Sequence, residues 1–312
     1  MLYTIRHLTR FRYSVPISQS VMELRMEPRS EGQQRCLNFK LTLNPNAQPM
    51  IYRDYLGNIV HHFDVPGHHK TLSITADAQV EIRPLQPLPD RLPATAWDEL
   101  AADDYDMLLP SRYTHPSPLL DDLANELGAV RRDDPLTLLC DLNRSIAEAF
   151  EYAPASTQVD SPIDDALRTR RGVCQDFTHI MIALARPLRI PCRYVSGYLY
   201  HRHSGKADRS AQDATHAWVE ALLPGLGWVG FDPTNNLIAT DRHIRVAVGR
   251  DYADVPPTRG VFKGNADTEL YVGVRVMRDD DSASGDLTPV LAGWSAALES
   301  QAEGEDEQSQ QQ

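Results

Sequence analysis

Apolar and polar residues alternate strictly through the N-terminal part of the chain, and this alternation limits what the chain can fold into. It is clearest over residues 72–82, and it also occurs over residues 37–43 and 59–65, the latter after a Leu-Gly-Asn turn. Alternation of this length predicts half-buried strands connected by short turns. We therefore expect residues 1–85 to form an antiparallel β-sandwich.

The pattern stops at a proline-rich segment. Residues 83–95 contain four prolines, which predict an extended linker. Residues 86–116 as a whole are expected to link the two halves of the chain and to pack on the core through aromatic residues. At the other end, residues 279–312 are dominated by Asp, Ser, Glu and Gln and are predicted to be disordered, because they offer little apolar surface to bury.

Between these segments the apolar spacing becomes helical. Ser117 is a suitable N-cap and Gly128 a suitable stop for the first helix, and further helical stripes follow. Strands return after residue 192, and the alternating residues 270–276 are expected to close the sheet of this second unit. Strands, then helices, then strands predict an α+β fold in which residues 117–278 form the core domain.

The composition excludes several classes of protein. The chain has 312 residues, 42% of them hydrophobic and 24% charged, which is typical of a globular protein. Its formal net charge of -12 argues against a nucleic-acid partner. The four cysteines have no CxxC spacing, so we expect no metal, no cofactor and no disulfide framework. Without a signal peptide or an apolar run that could span a membrane, the chain is predicted to be cytoplasmic and free of membrane contact.

One cysteine lies where a thiol is easily activated. Cys174 follows a Gly-containing loop and begins an amphipathic stripe that continues through Phe177, Ile180, Met181 and Leu184. A helix N-terminus offers unpaired N–H groups and the positive end of the helix dipole, which lower a thiol pKa. Most free cysteines are simply small buried hydrophobic residues, so this position alone leaves both interpretations open.

Two later strands supply the partners that a nucleophilic thiol needs. Residues 215–222 and 227–234 each read as a strand, and the short connection between them predicts an antiparallel hairpin. This pairing is expected to bring His216 near Asp232. Because a thiol needs a base, and the base needs a group that fixes its tautomer, Cys174, His216 and Asp232 are the candidate catalytic residues.

These segments together resemble a known family. The runs GVCQDF (172–177), IPCRYVSGY (190–198), HAWVE (216–220) and WVGFDPT (228–234) occur in the order found in the transglutaminase-like core. The chain is most similar to the bacterial transglutaminase-like family described as cysteine proteases, including its β-rich N-terminal domain. The resemblance implies a papain-like or transglutaminase-like core, in which the helix that bears the nucleophile packs on an antiparallel sheet.

The sequence departs from the family pattern at the end of the nucleophile helix. The family usually continues the helix up to a glycine before the Ile-Pro pair, whereas this chain has Pro187 and Arg189 there. Since proline removes a helical hydrogen bond, the helix is expected to end or bend near Ala185 or Arg186.

The resemblance implies a cysteine-dependent amide-bond hydrolase, that is, a peptidase, isopeptidase or amidase, which acts through a thioester acyl-enzyme on a peptide or protein. A transglutaminase-type acyltransferase, which passes the acyl group to an amine, is the alternative, and a non-catalytic binding module is a further one. Thiol redox chemistry with Cys192 is a fourth.

The Cys174 N–H is expected to stabilise the oxyanion, and Gln175 and Tyr152 are candidates for a second donor or a site-adjacent role. The polar loop 201–213 is expected to be mobile and able to cover the cleft. Substrate and oligomeric state stay open.

Overall fold

Two very long strands organise the N-terminal part of the protein in the computed structural model, which describes residues 1–100, 105–202 and 207–280. Strand β1 (Leu2–Leu24) pairs antiparallel with β4 (Ile59–Ile82), and β2 (Gln34–Asn44) and β3 (Met50–Arg53) pair with β4. The segments predicted as separate strands at 59–65 and 72–82 are thus two halves of β4.

Both long strands bend in the middle. The pairing of β1 with β4 shifts register between Arg12 and Ile17, and Gly67 opposite this bend has a φ of 92°, which side chains other than glycine rarely adopt. Residues from both sides of the bend in β4, such as Phe63 and Leu72, share one hydrophobic cluster. One face of β1 and β4 therefore covers this cluster, which explains the alternation of buried and exposed residues along both strands.

Four α-helices follow in the described part of the chain, and the sequence signals at Ser117, Gly128 and Asp134 mark where the first two begin or end. Ser117 accepts a hydrogen bond from the Leu120 N–H, and Gly128 ends the first helix with a φ of 63°. Asp134 accepts from two N–H groups at the start of the second. The helices are α1 (Pro118–Leu127), α2 (Pro135–Ala149), α3 (Ile163–Thr169) and α4 (Cys174–Ala185).

Helix α4 lies at the centre of the core domain. Every residue from Gln175 to Ala185 is buried, and a short 3-10 turn, Arg186–Leu188, carries Pro187 past its end. The predicted end near Ala185 is confirmed. Arg186 is also buried and donates to four backbone carbonyls and to Thr114, so it ties the end of α4 to the segments around it.

A five-stranded antiparallel sheet packs on α4. Two short strands precede this sheet in the chain, β5 (Glu151–Tyr152) and β6 (Arg171–Gly172), and they pair with each other in parallel. The sheet has the order β10-β9-β8-β7-β11. Its strands are β7 (Cys192–Leu199), β8 (His216–Leu223), β9 (Gly227–Asp232), β10 (Leu237–Ile238) and β11 (His243–Gly249). Tyr194, Val219 and Phe231 face the helix and share one hydrophobic cluster with Phe177.

The last two strands correct one expectation. Strand β12 (Thr258–Lys263) and β13 (Thr268–Arg278) both pair with β1, and Val276 lies opposite Ile5. The prediction that residues 270–276 close the core's sheet is wrong, because alternation shows that a strand has one buried face but not which sheet it joins. The domain limits at 85, 116 and 278 remain predictions, and the predicted disordered tail lies outside the described residues from residue 281 onward.

The two sheets meet through an apolar layer with polar groups at its edge. Tyr3, Ile5 and Val80 pack against Tyr198 and Ile244 of the core sheet. The described residues form an α+β fold of antiparallel sheets and helices, as predicted. None of the helices among these residues is long and apolar enough to cross a membrane.

Candidate active site

Cys174 is the first residue of α4 and is partly exposed. The helix start is held by Asp176, whose carboxylate accepts from the Val173 N–H at 2.8 Å and from the Thr157 hydroxyl at 2.6 Å. A Cβ at Gly172 would lie 2.9 Å from the Asp176 side chain, so this cap needs glycine at that position. The Cys174 thiol therefore stands at a capped and rigid helix N-terminus.

His216 is the first residue of β8, and Asp232 is the last residue of β9. The His216 Nε2 lies 2.8 Å from the Asp232 Oδ2, and both side chains are buried. The other ring nitrogen, Nδ1, is buried and has no hydrogen-bond partner among the described residues. Interaction with Cys174 nevertheless contributes to raising the pKa of this ring. The structure thus joins His216 to Asp232 through Nε2, and Nδ1 is the ring nitrogen left for the Cys174 thiol, which influences the ring electrostatically.

Burial and the neighbouring charged groups have opposite effects on the pKa values of His216 and Asp232. Burial alone lowers the pKa of His216, but the Asp232 charge and hydrogen bond, together with Cys174, raise the pKa to about 10. Burial likewise raises the pKa of Asp232, but the charge and hydrogen bond of His216, followed by the hydrogen bond of His243, hold the pKa well below its usual range. At neutral pH the pair is therefore an imidazolium and a carboxylate, and the cation lies beside the thiol.

Several side chains that the sequence did not single out surround Asp232. Its Oδ2 also accepts from the Asn235 amide at 2.8 Å and from the His243 Nε2 at 3.2 Å, while its Oδ1 accepts from the N–H groups of Thr234 and Asn235. The nearness of Asn235 in sequence offers a weak signal for its role. His243 comes from β11 at the far edge of the sheet, so no local pattern could have found it.

The two candidate oxyanion residues have different surroundings. The Gln175 amide donates to the Val159 carbonyl at 2.9 Å, which directs this buried side chain into the adjacent loop. The Tyr152 hydroxyl accepts from the Ala211 N–H at 3.2 Å, which leaves its own proton available. Burial, followed by the charge of Cys174, raises the pKa of Tyr152, so this hydroxyl lies within electrostatic reach of the thiol and stays protonated.

The described part of the loop before His216 is anchored. Arg209 donates to the carbonyls of Ala147 and Phe150 at 2.6 and 2.8 Å, and its N–H donates to Asn235 at 2.7 Å. Residues 203–206 lie outside the described residues. Arg209 thus ties this part of the loop to the end of α2 and to Asn235, and the predicted covering of the cleft stays a prediction.

The local structure argues against metal binding by the triad residues and against thiol redox chemistry with Cys192. His216, Asp232 and His243 place three possible metal-ligand atoms within 4.8 Å of one another. However, the Thr240 N–H donates to the His243 Nδ1 at 3.1 Å, so the Nε2 carries the ring proton and is a donor rather than a ligand. Cys192 is fully buried and burial raises its pKa to about 12, which makes it a poor resolving thiol.

A helix that presents a cysteine at its N-terminus, packed on an antiparallel sheet that carries histidine and aspartate, defines the transglutaminase-like class of thiol site. Sequence comparison gives the same result. Residues 3–81 match the family "Bacterial transglutaminase-like N-terminal region" and residues 123–233 match the "Transglutaminase-like superfamily". The chain belongs to the bacterial branch of the transglutaminase-like superfamily.

Similar proteins cover most of the chain. An uncharacterized protein of Mycobacterium leprae is 33% identical over 274 residues, which is 87% of this chain and 97% of that protein. One from Mycobacterium tuberculosis is 34% identical over 288 residues, 86% of this chain and 90% of that protein. A protein-glutamine gamma-glutamyltransferase of Pseudomonas aeruginosa is 31% identical over 128 residues, 38% of this chain and 19% of that protein.

A solved structure shares the fold. It is a candidate cysteine protease from Cytophaga hutchinsonii, with a TM-score of 0.69 and 24% identity over 90% of this chain and 92% of that chain. At this level of identity the likeness supports the fold alone.

Proposed function

We propose that the protein is a cysteine-dependent amide-bond hydrolase that cleaves a peptide, isopeptide or side-chain amide in a peptide or protein substrate. The observation that carries this proposal is the buried 2.8 Å contact between His216 and Asp232, made beside a cysteine at a helix N-terminus. A thiol, a base and an orienting carboxylate are the three groups that nucleophilic catalysis at an acyl carbon needs. We propose a cytoplasmic location as well, as the sequence predicts.

In the first half-reaction the Cys174 thiolate attacks the amide carbonyl carbon. The carbon–sulfur bond forms while the carbonyl electron pair moves onto oxygen. His216, protonated at neutral pH because its pKa is raised to about 10, gives its Nδ1 proton to the leaving nitrogen. The carbon–nitrogen bond then breaks, and a thioester and a free amine result.

In the second half-reaction water attacks the thioester. Acylation removes the thiolate whose interaction helps to raise the pKa of His216, so this pKa falls and the neutral ring can accept a proton from water. Asp232 holds Nε2 throughout, which keeps Nδ1 directed at the reacting atoms. The thiolate leaves, and acid product and free enzyme result.

The developing oxyanion needs donors on one side of the carbonyl. The Cys174 N–H, unpaired at the start of α4, is one. We assign the second to Tyr152, because its hydroxyl proton is available and it is electrostatically coupled to Cys174, whereas the Gln175 amide already donates to Val159.

Acyl transfer to an amine is the second candidate. It shares every step up to the thioester and differs only in whether water or an amine resolves it. The similarity to a protein-glutamine gamma-glutamyltransferase over 128 residues favours this alternative specifically. A non-catalytic module would keep the fold without using the thiol.

A peptide library made from a whole proteome, incubated with wild-type protein or with C174S, distinguishes these candidates. Hydrolysis predicts new termini or glutamine deamidation that appear only with the wild type. Adding dansylcadaverine predicts labelled glutamines if an amine is the acceptor. Equal products with C174S, or no product of any of these kinds with the wild type, would overturn the catalytic proposal and leave the binding module.

A further inference from the structure

His243 contacts the carboxylate of the triad from a strand outside the hairpin that carries His216 and Asp232. It is the first residue of β11, the edge strand that pairs with β7. Its ring is fully enclosed: it lies edge-on to Trp218 with centroids 5.2 Å apart and 6.2 Å from the His216 ring. In this enclosed position the ring places Nε2 3.2 Å from the Asp232 Oδ2.

The tautomer of His243 follows from its other nitrogen. The Thr240 N–H donates to Nδ1 at 3.1 Å, so Nδ1 carries the lone pair and Nε2 carries the proton. Burial lowers the pKa of His243, against the opposing hydrogen bond and charge of Asp232, so the ring is neutral at neutral pH. It therefore donates a hydrogen bond without bringing a positive charge that would compete with His216.

Hydrogen bonds surround the carboxylate on all sides. Oδ1 is held by the N–H groups of Thr234 and Asn235, and Oδ2 receives the Asn235 amide, His243 and His216. The donors other than His216 restrict rotation of the carboxylate. They therefore keep Oδ2 oriented to accept the hydrogen bond from His216.

We propose that His243 is a positioning residue of the active site, which acts through Asp232 to hold the His216 ring with Nδ1 facing Cys174. This rests on the proposed function, because it assigns a fourth residue to the same thiol site. His243 touches neither substrate nor thiol. It adds a neutral hydrogen-bond donor from β11 to the group formed by Cys174, His216 and Asp232. The geometry of the hairpin residues therefore depends on the position of this edge strand.

The matched variants are H243M and H243Q, which have similar volume and flexibility. Glutamine can place an N–H near the position of the lost Nε2–H, whereas methionine offers no donor. H7L is the packing control, because His7 is an equally buried histidine, hydrogen-bonded to Tyr198 between the two sheets and away from the triad.

Two readouts that need no substrate are used on the full chain. The first is the spectrum of 15N-histidine-labelled protein, which reports the tautomer of His243 and the hydrogen-bonded Nε2 proton of His216. The second is the rate at which iodoacetamide alkylates Cys174 as a function of pH. We expect the Nε2–H tautomer for His243 in the wild type and a displaced His216 proton resonance in H243M. We also expect H243M to slow alkylation at pH 6 by about 10- to 100-fold, by analogy with the loss of a residue that orients a metal-binding histidine. H243Q is expected to restore most of both.

An Nδ1–H tautomer of His243 in the wild type would overturn the proposal without any variant. So would wild-type behaviour of H243M, equal impairment of H243Q and H243M, or equal impairment of H7L. Failure of the proposed function is a separate outcome, since a wild type that is inert on amides would still show the His243-dependent His216 signal.

Discussion

Replacing the carboxylate with the amide of asparagine, D232N, tests the core of the site without changing its shape. In the wild type each hydrogen bond of Asp232 within the described residues comes from an N–H that donates to it. An amide has only one acceptor oxygen. If that oxygen keeps the Thr234 and Asn235 N–H groups, its NH2 group faces His216 Nε2 and donates to it, so the ring proton moves to Nδ1.

The magnitude follows from the two effects that act on His216. Asp232 is the main influence that raises its pKa to about 10, against burial, which lowers it. Without the carboxylate charge, burial lowers this pKa and only the interaction with Cys174 still raises it. If the pKa returns to about 6.5, the ordinary value for histidine, about one tenth of His216 carries the second proton at pH 7.5, whereas nearly all does in the wild type. We expect alkylation of Cys174 at pH 7.5 to slow about tenfold or more, and any amide turnover to fall by about 10⁴, as when the aspartate of a serine-protease triad is replaced by asparagine.

The assay compares D232N with wild type by peptide mapping of iodoacetamide labelling, after thermal melts show that both are folded. The melts matter because at least two buried donors lose their acceptor in D232N, at roughly 1–3 kcal/mol each. H216A is the second variant, since it leaves the carboxylate in place and removes the ring. Labelling of Cys174 in folded D232N at the wild-type rate would refute the reasoning.

Three further predictions concern the scaffold. R186M leaves four carbonyls and a hydroxyl without their buried donor and should reduce the free energy of unfolding by about 3 kcal/mol or more in urea titrations, with a loss below 1 kcal/mol contradicting it. G197A would put a methyl group 2.2 Å from the Ile244 carbonyl oxygen and should cost about 1–3 kcal/mol in the same assay, whereas a neutral effect would show that β7 and β11 separate easily. Stability should peak near pH 6.5 for two reasons. The pKa of His216 is raised to about 10, so the stability that its protonated form contributes is lost as pH rises from 6.5 to 10. Burial lowers the pKa of His7 to about 3, so the folded state resists protonation of this ring and stability falls as pH drops below 6.5. A melting temperature that climbed steadily from pH 6.5 to 10 would contradict this assignment.

Local signals in the sequence were sufficient for much of the fold. Ser117, Gly128 and Pro187 each act on the backbone within one turn, so the helix limits they predict appear in the structure. Strands β8 and β9 follow each other in sequence with a short connection, which favours the antiparallel hairpin that they form. For the same reason Cys174, His216 and Asp232 were recognisable: each belongs to a short run of residues with its own pattern.

Contacts between distant parts of the chain were not predictable in this way. The strand at 270–276 has a clear buried face, but its choice of β1 as partner depends on the shape of a sheet formed some 250 residues earlier. His243 lies eleven residues after Asp232 and reaches it only because β11 pairs with β7 across the sheet. Periodicity describes one element at a time, so it carries no information on such pairings.

The most direct measurement of the central idea is the labelling rate of all four cysteines of the wild type by iodoacetamide between about pH 5 and pH 9. Cys36, Cys140 and Cys192 are internal controls, because burial raises the pKa of each of these thiols. A thiolate held beside the His216 imidazolium predicts that Cys174 labels far faster than the other three at pH 6, with a rate that changes little up to pH 8. If Cys174 labels no faster than the controls at pH 6 and gains its reactivity only above pH 8, the activated thiol does not exist and the catalytic account is contradicted.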